Sequence, residues 1–325
     1  MCPTSRPEER QRGPERRGYG NRDIVLQGGG SALVARVATP YLGAAMAQQS
    51  FLQRLIPLRF RKSVPVVTHV RLQGAIGVGT PMRPPLTFKD VEPQLERAFR
   101  KGVAAVAITV NSPGGSPVQS ALIHDRIRAL AAEFKLPVYV FCEDVAASGG
   151  YWLACAGDEI YADANSVVGS IGVISAGFGF VETIRKLGVE RRVYAAGENK
   201  AVLDPFQPEK PEDVARLKDL QADVHDAFKD LVRQRRAGKL KEADPDLFTG
   251  AFWTGRRAQA LGLIDGLGHL PEVLRQKFGE KLVIKAVSAP RGWGLQRLGL
   301  GSGAEIPESF IATLETRALW SRFGL

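Results

Sequence analysis

From residue 66 onward, apolar positions fall into short blocks with two different periods. Residues 66–72 alternate and are rich in β-branched side chains, which predicts a strand with His69 as a structural member. Residues 103–110 are apolar throughout, as a strand buried in a parallel sheet requires. Residues 88–100, stopped by Gly102, carry a helical period. Residues 118–134 do so too, and set Val118, Ala121, Leu122, Ile127, Leu130, Ala131 and Phe134 on one face. Further strands are predicted over 138–142, 159–162, 167–174, 189–195 and 282–287. Further helices are predicted over 180–187, 211–236, 254–261 and 271–278. This alternation of strand, turn and helix predicts an α/β core with a parallel sheet and flanking helices. No exact internal repeat is visible.

Composition changes the picture mainly at the ends. The chain has 325 residues, 44% of them apolar, enough for a substantial core in one large domain or two modest ones. Its net charge of +10 is unevenly placed. Residues 1–62 hold 11 Lys+Arg against 4 Asp+Glu, and the remainder holds 33 against 30. The globular part is therefore nearly balanced. The basic arm lacks interleaved aromatics, so nucleic acid is excluded as a partner. Residues 1–45 read as disordered, and Met46 is expected to be the biological start. Between residues 51 and 62, apolar side chains stand among Arg54, Arg59, Arg61 and Lys62. That pattern suits a segment lying on an anionic membrane surface or one docked on its own domain, and both readings stay open. The expected division is a basic extension over 1–62, a catalytic-type domain over 63–288 and a docking or oligomerisation tail over 289–325.

No secretory signal is predicted, since a long Arg-, Pro- and Gly-rich start precedes the first apolar residues. The uncharged run over 37–53 contains Pro40, Gln48, Gln49 and Ser50. It falls short of the ~20 mostly apolar residues a spanning helix needs. Cys2, Cys142 and Cys155 have no metal-site spacing. Cys142 and Cys155 sit in apolar runs and read as buried thiols, which favours a reducing compartment.

Two turns carry the candidate chemistry. Asn111-Ser112-Pro113-Gly114-Gly115-Ser116-Pro117 follows the strand over 103–110. Ser116 and Pro117 suit the N-cap and first position of the next helix. Asp144-Val145-Ala146-Ala147-Ser148-Gly149-Gly150 follows the strand over 138–142. Open α/β sheets place their sites at such carboxyl ends of strands. Backbone N–H groups from two glycine turns beside the Ser148 hydroxyl are the parts of an oxyanion hole for acyl transfer. Two ordinary glycine turns, with Ser148 as an N-cap, are the alternative. A serine nucleophile needs a base, and His124, His225 and His269 have no obvious geometry for it.

These turns, with Gly169-Ser170-Ile171-Gly172-Val173, Gly197-Glu198-Asn199-Lys200 and the segment from Phe252 to Asp265, resemble the signal peptide peptidase A (SppA) family of Ser–Lys peptidases. The resemblance runs from about Val66 to Val287 and implies a ClpP/crotonase-like fold of repeated β-β-α units. It implies Ser148 as nucleophile, Lys200 as general base, the N–H groups of Gly115 and Gly149 as oxyanion hole, and Ser170 as the residue orienting the lysine. A lysine serves as a base only when an apolar pocket keeps it neutral, and Ala201, Val202, Leu203 and Phe206 are expected to supply one. Ala201 departs from the polar residue often found there in the family. The resemblance further implies no metal or organic cofactor, apolar extended peptides as substrates, and a ring-shaped homo-oligomer whose subunits share sites. The expected setting is the bacterial cytoplasm, with peripheral membrane contact. The alternatives are a crotonase-like acyl-CoA enzyme using Glu143 and Asp144, and a non-catalytic scaffold at a membrane.

Overall fold

A computed structural model of the chain describes residues 64–79, 84–197, 199–241, 244–288 and 317–324. All of them belong to one compact unit, Ser63–Leu325. The expectations for residues 1–62, and most of those for the tail over 289–325, lie outside the described residues.

The strands are β1 (Val66–Gln73), β2 (Ala105–Ser112), β3 (Val138–Ala147), β4 (Glu159–Ala162), β5 (Val167–Gly169), β6 (Phe252–Thr254), β7 (Gly266–Leu267) and β8 (Val283–Ala286). The helices are α1 (Phe88–Ala98), α2 (Pro117–Phe134), α3 (Gly149–Ala154), α4 (Val181–Lys186), α5 (Pro211–Arg235), α6 (Gly255–Ala260) and α7 (Leu270–Phe278). The sheet runs β6-β5-β3-β2-β1-β8, with β4 branching from β3 and β7 pairing β4. Every pairing is parallel except β5 with β6. This is the α/β class with a mostly parallel sheet and flanking helices expected from the strand–turn–helix alternation.

Period-two alternation assigns the two sheet faces. Val106, Ile108 and Val110 of β2 join Leu95 of α1, Ile123 and Ile127 of α2 and Leu153 of α3 in one core. Ala105 and Ala107 face the other way and meet Val273 and Leu274 of α7 in a second. Each fully buried Leu or Ile stabilises the fold by about 1.5–3 kcal/mol through area removed from water. β2 is therefore buried along its whole length, at the centre of the sheet.

Three expectations change. The inner face of α2 is Ser120, Ile123, His124, Ile127, Leu130 and Ala131, while Val118 and Leu122 are 66% and 43% exposed. Ser120 takes the inner place because α2 closes on the small-residue turn at Gly149. The strand predicted over 167–174 ends at Gly169, where φ turns positive at Gly169 and again at Ser170. Residues 189–195 form no strand; they are exposed and have no ladder partner among the described residues.

Candidate active site

Ser148 stands between β3 and α3 with φ 53° and ψ −123°. That is a costly conformation for a residue with a Cβ, of a kind that persists where the surroundings enforce it. The enforcing contacts are visible. Its N–H donates to the Gly169 carbonyl at 2.8 Å, and its carbonyl accepts from the N–H groups of Tyr151 (2.9 Å) and Trp152 (3.0 Å). Ser148 occupies the N-cap position, yet its side chain makes no cap hydrogen bond. The capping alternative thus does not describe this hydroxyl.

The glycines bring the two turns into contact. A Cβ on Gly114 would lie 2.8 Å from the Ser148 Cβ and 2.9 Å from the Gly149 nitrogen. On Gly149 it would lie 2.5 Å from Ser120 Oγ, and on Gly150 2.4 Å from the Ser112 carbonyl oxygen. Gly115 is held against Ile76, whose N–H donates to the Gly114 carbonyl (2.8 Å) and whose carbonyl accepts from Ser116 N–H (2.8 Å). Among the described residues, the N–H groups of Gly115 and Gly149 donate to no protein acceptor. The Gly114–Gly115 turn, which carries one of these donors, thus packs directly on Ser148 and Gly149, which carries the other.

The short helix behind Ser148 is fixed from several sides. Tyr151 Oη donates to the Leu263 carbonyl at 2.7 Å, and Trp152 stacks on Phe228 of α5 with ring centroids 4.8 Å apart. Arg235 donates to the carbonyls of Cys155 (2.8 Å) and Gly157 (2.9 Å), which follow α3. The neighbouring Arg236 donates to Asp265 at 2.7 Å. Burial pushes the Cys142 and Cys155 thiols up to about 12, so both are un-ionised packing groups.

Ser170 is 3% exposed, has φ 54°, and donates its N–H to Ala251 O at 2.7 Å. It is thus brought beside Ser148 through the Gly169 contact. Lys200 is exposed, while Ala201, Val202, Leu203 and Phe206 around it are half-buried. Among the described residues no hydrogen bond or ion pair joins Lys200 to Ser148.

The carboxylates of the acyl-CoA alternative are engaged elsewhere. Glu143 accepts from Arg71 Nε at 3.1 Å, and Asp144 accepts from Asn111 Nδ2 at 2.7 Å. Both line a cavity of about 720 Å³ with Arg71, Asp163 and His269, and Ser148 is not on its wall. The histidines also have other duties. His69 bonds Thr109 Oγ1 at 2.7 Å, and His124 is buried, which lowers its pKa. His269 pairs with Asp163. His225 donates from Nε2 to the Ile171 carbonyl at 3.1 Å, pinning the segment after Ser170. Sequence periodicity placed His225 inside a long helix and gave no sign of that contact.

Ser148 thus stands on a strand-to-helix turn at the carboxyl end of a mostly parallel sheet, where open α/β sheets place their sites. Comparison with known proteins gives the family. The profile described as peptidase family S49 matches residues 131–283. A Synechocystis relative named "Putative protease slr0021" is 30% identical over 204 residues, 62% of this chain and 69% of that protein. The chain belongs to peptidase family S49. The Arabidopsis thaliana protein named "Serine protease SPPA, chloroplastic" is 33% identical over 179 residues, 55% of this chain and 26% of that one. A Brucella melitensis protein named "Na(+)/H(+) antiporter NhaA" is 53% identical over 292 residues, 86% of this chain. The chain spans only 40% of that protein's length. Among the described residues no helix is long and apolar enough to cross a membrane.

Proposed function

We propose that this chain is a serine endopeptidase in which Ser148 is the nucleophile and Lys200 the general base. The observation that carries the reading is the strained Ser148 elbow, its hydroxyl uncapped and its Cβ against the Gly114–Gly115 turn. Neutral Lys200 takes the hydroxyl proton as Oγ bonds to the peptide carbonyl carbon. The carbonyl oxygen becomes an oxyanion and accepts hydrogen bonds from the two glycines. Collapse breaks the C–N bond, and the lysine returns the proton to the departing amine. Water, deprotonated by the same lysine, then releases the acyl group as a carboxylic acid and restores Ser148. Ser170 orients the lysine.

The exposed position of Lys200 fits a site completed on assembly, because a lysine base needs a dry setting. In the sequence leading up to Lys200, Ile174, Phe178, Leu187, Val189 and Tyr194 are exposed. Buried between copies of the chain, they would supply that setting and give a closed homo-oligomer. Substrates are apolar extended peptides, such as signal peptide remnants or membrane-protein segments. The catalytic domain is residues 63–288, flanked by a basic extension over 1–62 and a tail over 289–325. The setting is the bacterial cytoplasm, with peripheral contact to the membrane. The test compares cleavage of casein and of a signal peptide by the chain and by Ser148→Ala, alongside acyl-CoA binding. Cleavage lost in the variant supports the reading. Full activity of Ser148→Ala, or tight acyl-CoA binding without any cleavage, overturns it.

A further inference from the structure

The β2–β3 ladder changes register just before the two turns. It pairs residue for residue from Val106 with Val138 to Val110 with Cys142, and then pairs Ser112 with Ala146. β2 advances two residues over that interval while β3 advances four. β3 therefore carries two extra residues, and the ladder leaves their backbone groups without a β2 partner. The side chain of Asn111 takes over. Its Oδ1 accepts from the Val145 N–H at 3.3 Å, and its Nδ2 donates to the Asp144 carboxylate at 2.7 Å. Asn111 itself is 4% exposed and stands on the strand opposite the bulge.

The bulge sets where the nucleophile stands. Gly114 lies three residues beyond Asn111, and Ser148 lies three beyond Val145. With an even ladder the turn at Ser148 would be displaced by two residues, about 6–7 Å along the sheet. The Gly114 Cα could not then lie against Ser148. We propose that Asn111 is a positioning residue. Its side-chain amide holds the two-residue bulge of β3 and thereby aligns Ser148 with the Gly114–Gly115 turn. This rests on the reading of Ser148 as nucleophile. Asp144 is the second half of the device, which gives this carboxylate a role other than acid–base chemistry.

The test is the rate at which a fluorophosphonate acylates the full chain, with kcat and KM on an apolar peptide and thermal unfolding of each variant. Asn111→Ala should slow acylation and kcat about 10- to 100-fold with KM within about twofold, the mark of a misplaced nucleophile. Asn111→Asp sets two carboxylates face to face and should be slowed comparably. The exchange Asn111→Asp with Asp144→Asn keeps an acceptor for the Val145 N–H and rebuilds the side-chain bond with donor and acceptor reversed. Acylation should therefore return to within about threefold of the parent chain, a coupling that independent residues do not show. Parent-like acylation of a folded Asn111→Ala, or an exchanged pair no faster than Asn111→Asp, overturns the proposal. Absence of acylation in the parent chain would instead overturn the nucleophile reading on which it rests.

Discussion

The N–H of Ser148 donates to the carbonyl oxygen of Gly169 at 2.8 Å. This bond joins the serine elbow to the end of β5, one residue before Ser170. Both Ser148 and Ser170 hold positive φ, 53° and 54°. Two strained serines are thus locked together by backbone, and the sheet that positions one positions the other.

That strain predicts a stability signature. Glycine accepts φ 53° without the Cβ penalty. Ser148→Gly should be more stable than Ser148→Ala by about 1 kcal/mol, at the low end for such backbone strain, with both variants inactive. Urea unfolding of the pair measures it. Equal midpoints would mean the elbow stores no strain.

The glycine contacts predict two separable defects. A Cβ on Gly115 would lie 2.1 Å from the Ile76 carbonyl oxygen, a backbone atom that cannot step aside. Gly115→Ala should therefore lose about 2 kcal/mol or more, being both overpacked and strained at positive φ. On Gly114 the clash is with Ser148 itself, at 2.8 Å. Gly114→Ala should fold better than Gly115→Ala yet be acylated far more slowly. Thermal unfolding and acylation rates, taken together, distinguish the two.

Asp265 predicts the acid limb of stability. Burial acts to raise its pKa, but hydrogen bonds from Arg236, Lys239 and the Ile160 N–H outweigh it and hold the carboxyl below the usual carboxylate range. A depressed folded pKa gives stability that is present above the unfolded value of ~3.9 and lost as pH falls through the folded one. Arg236 is 1% exposed, so Asp265→Asn leaves a buried cation without its counter-charge. The expected loss at pH 7 is about 3–5 kcal/mol. Unfolding measured from pH 7 down to pH 3 should also fall less steeply in the variant than in the parent.

Lys200 predicts the opposite combination. Its side chain is exposed in the chain, so Lys200→Ala should change stability by no more than about 0.5 kcal/mol. As the general base, its loss should lower kcat by about 100-fold or more. A surface lysine of no function would leave both unchanged. Steady-state kinetics beside thermal unfolding tells the two roles apart.

Local signals were readable from the sequence, and tertiary ones were not. Ser116 caps α2 through its side chain and Pro117 opens it, because capping depends on residues a turn apart. The serine elbow was likewise readable, from a strand, small residues and glycines in succession. The three-residue strand Phe252–Thr254 has no counterpart among the predicted elements, since its strand character comes from pairing with Val167–Gly169. Residues 189–195 read as a strand, and a side-chain pattern says nothing of a missing ladder partner. Asn111 read as one member of a turn. Its bond to Val145 depends on a register shift between two strands, which neither strand's own pattern records.

The most direct measurement is the mass of the peptide bearing Ser148 after the chain reacts with a fluorophosphonate. The account predicts one adduct on Ser148, absent from Ser148→Ala and formed more slowly by about 100-fold or more in Lys200→Ala, the low end of what a general base contributes. A chain that cleaves peptides while Ser148 stays unmodified would contradict it.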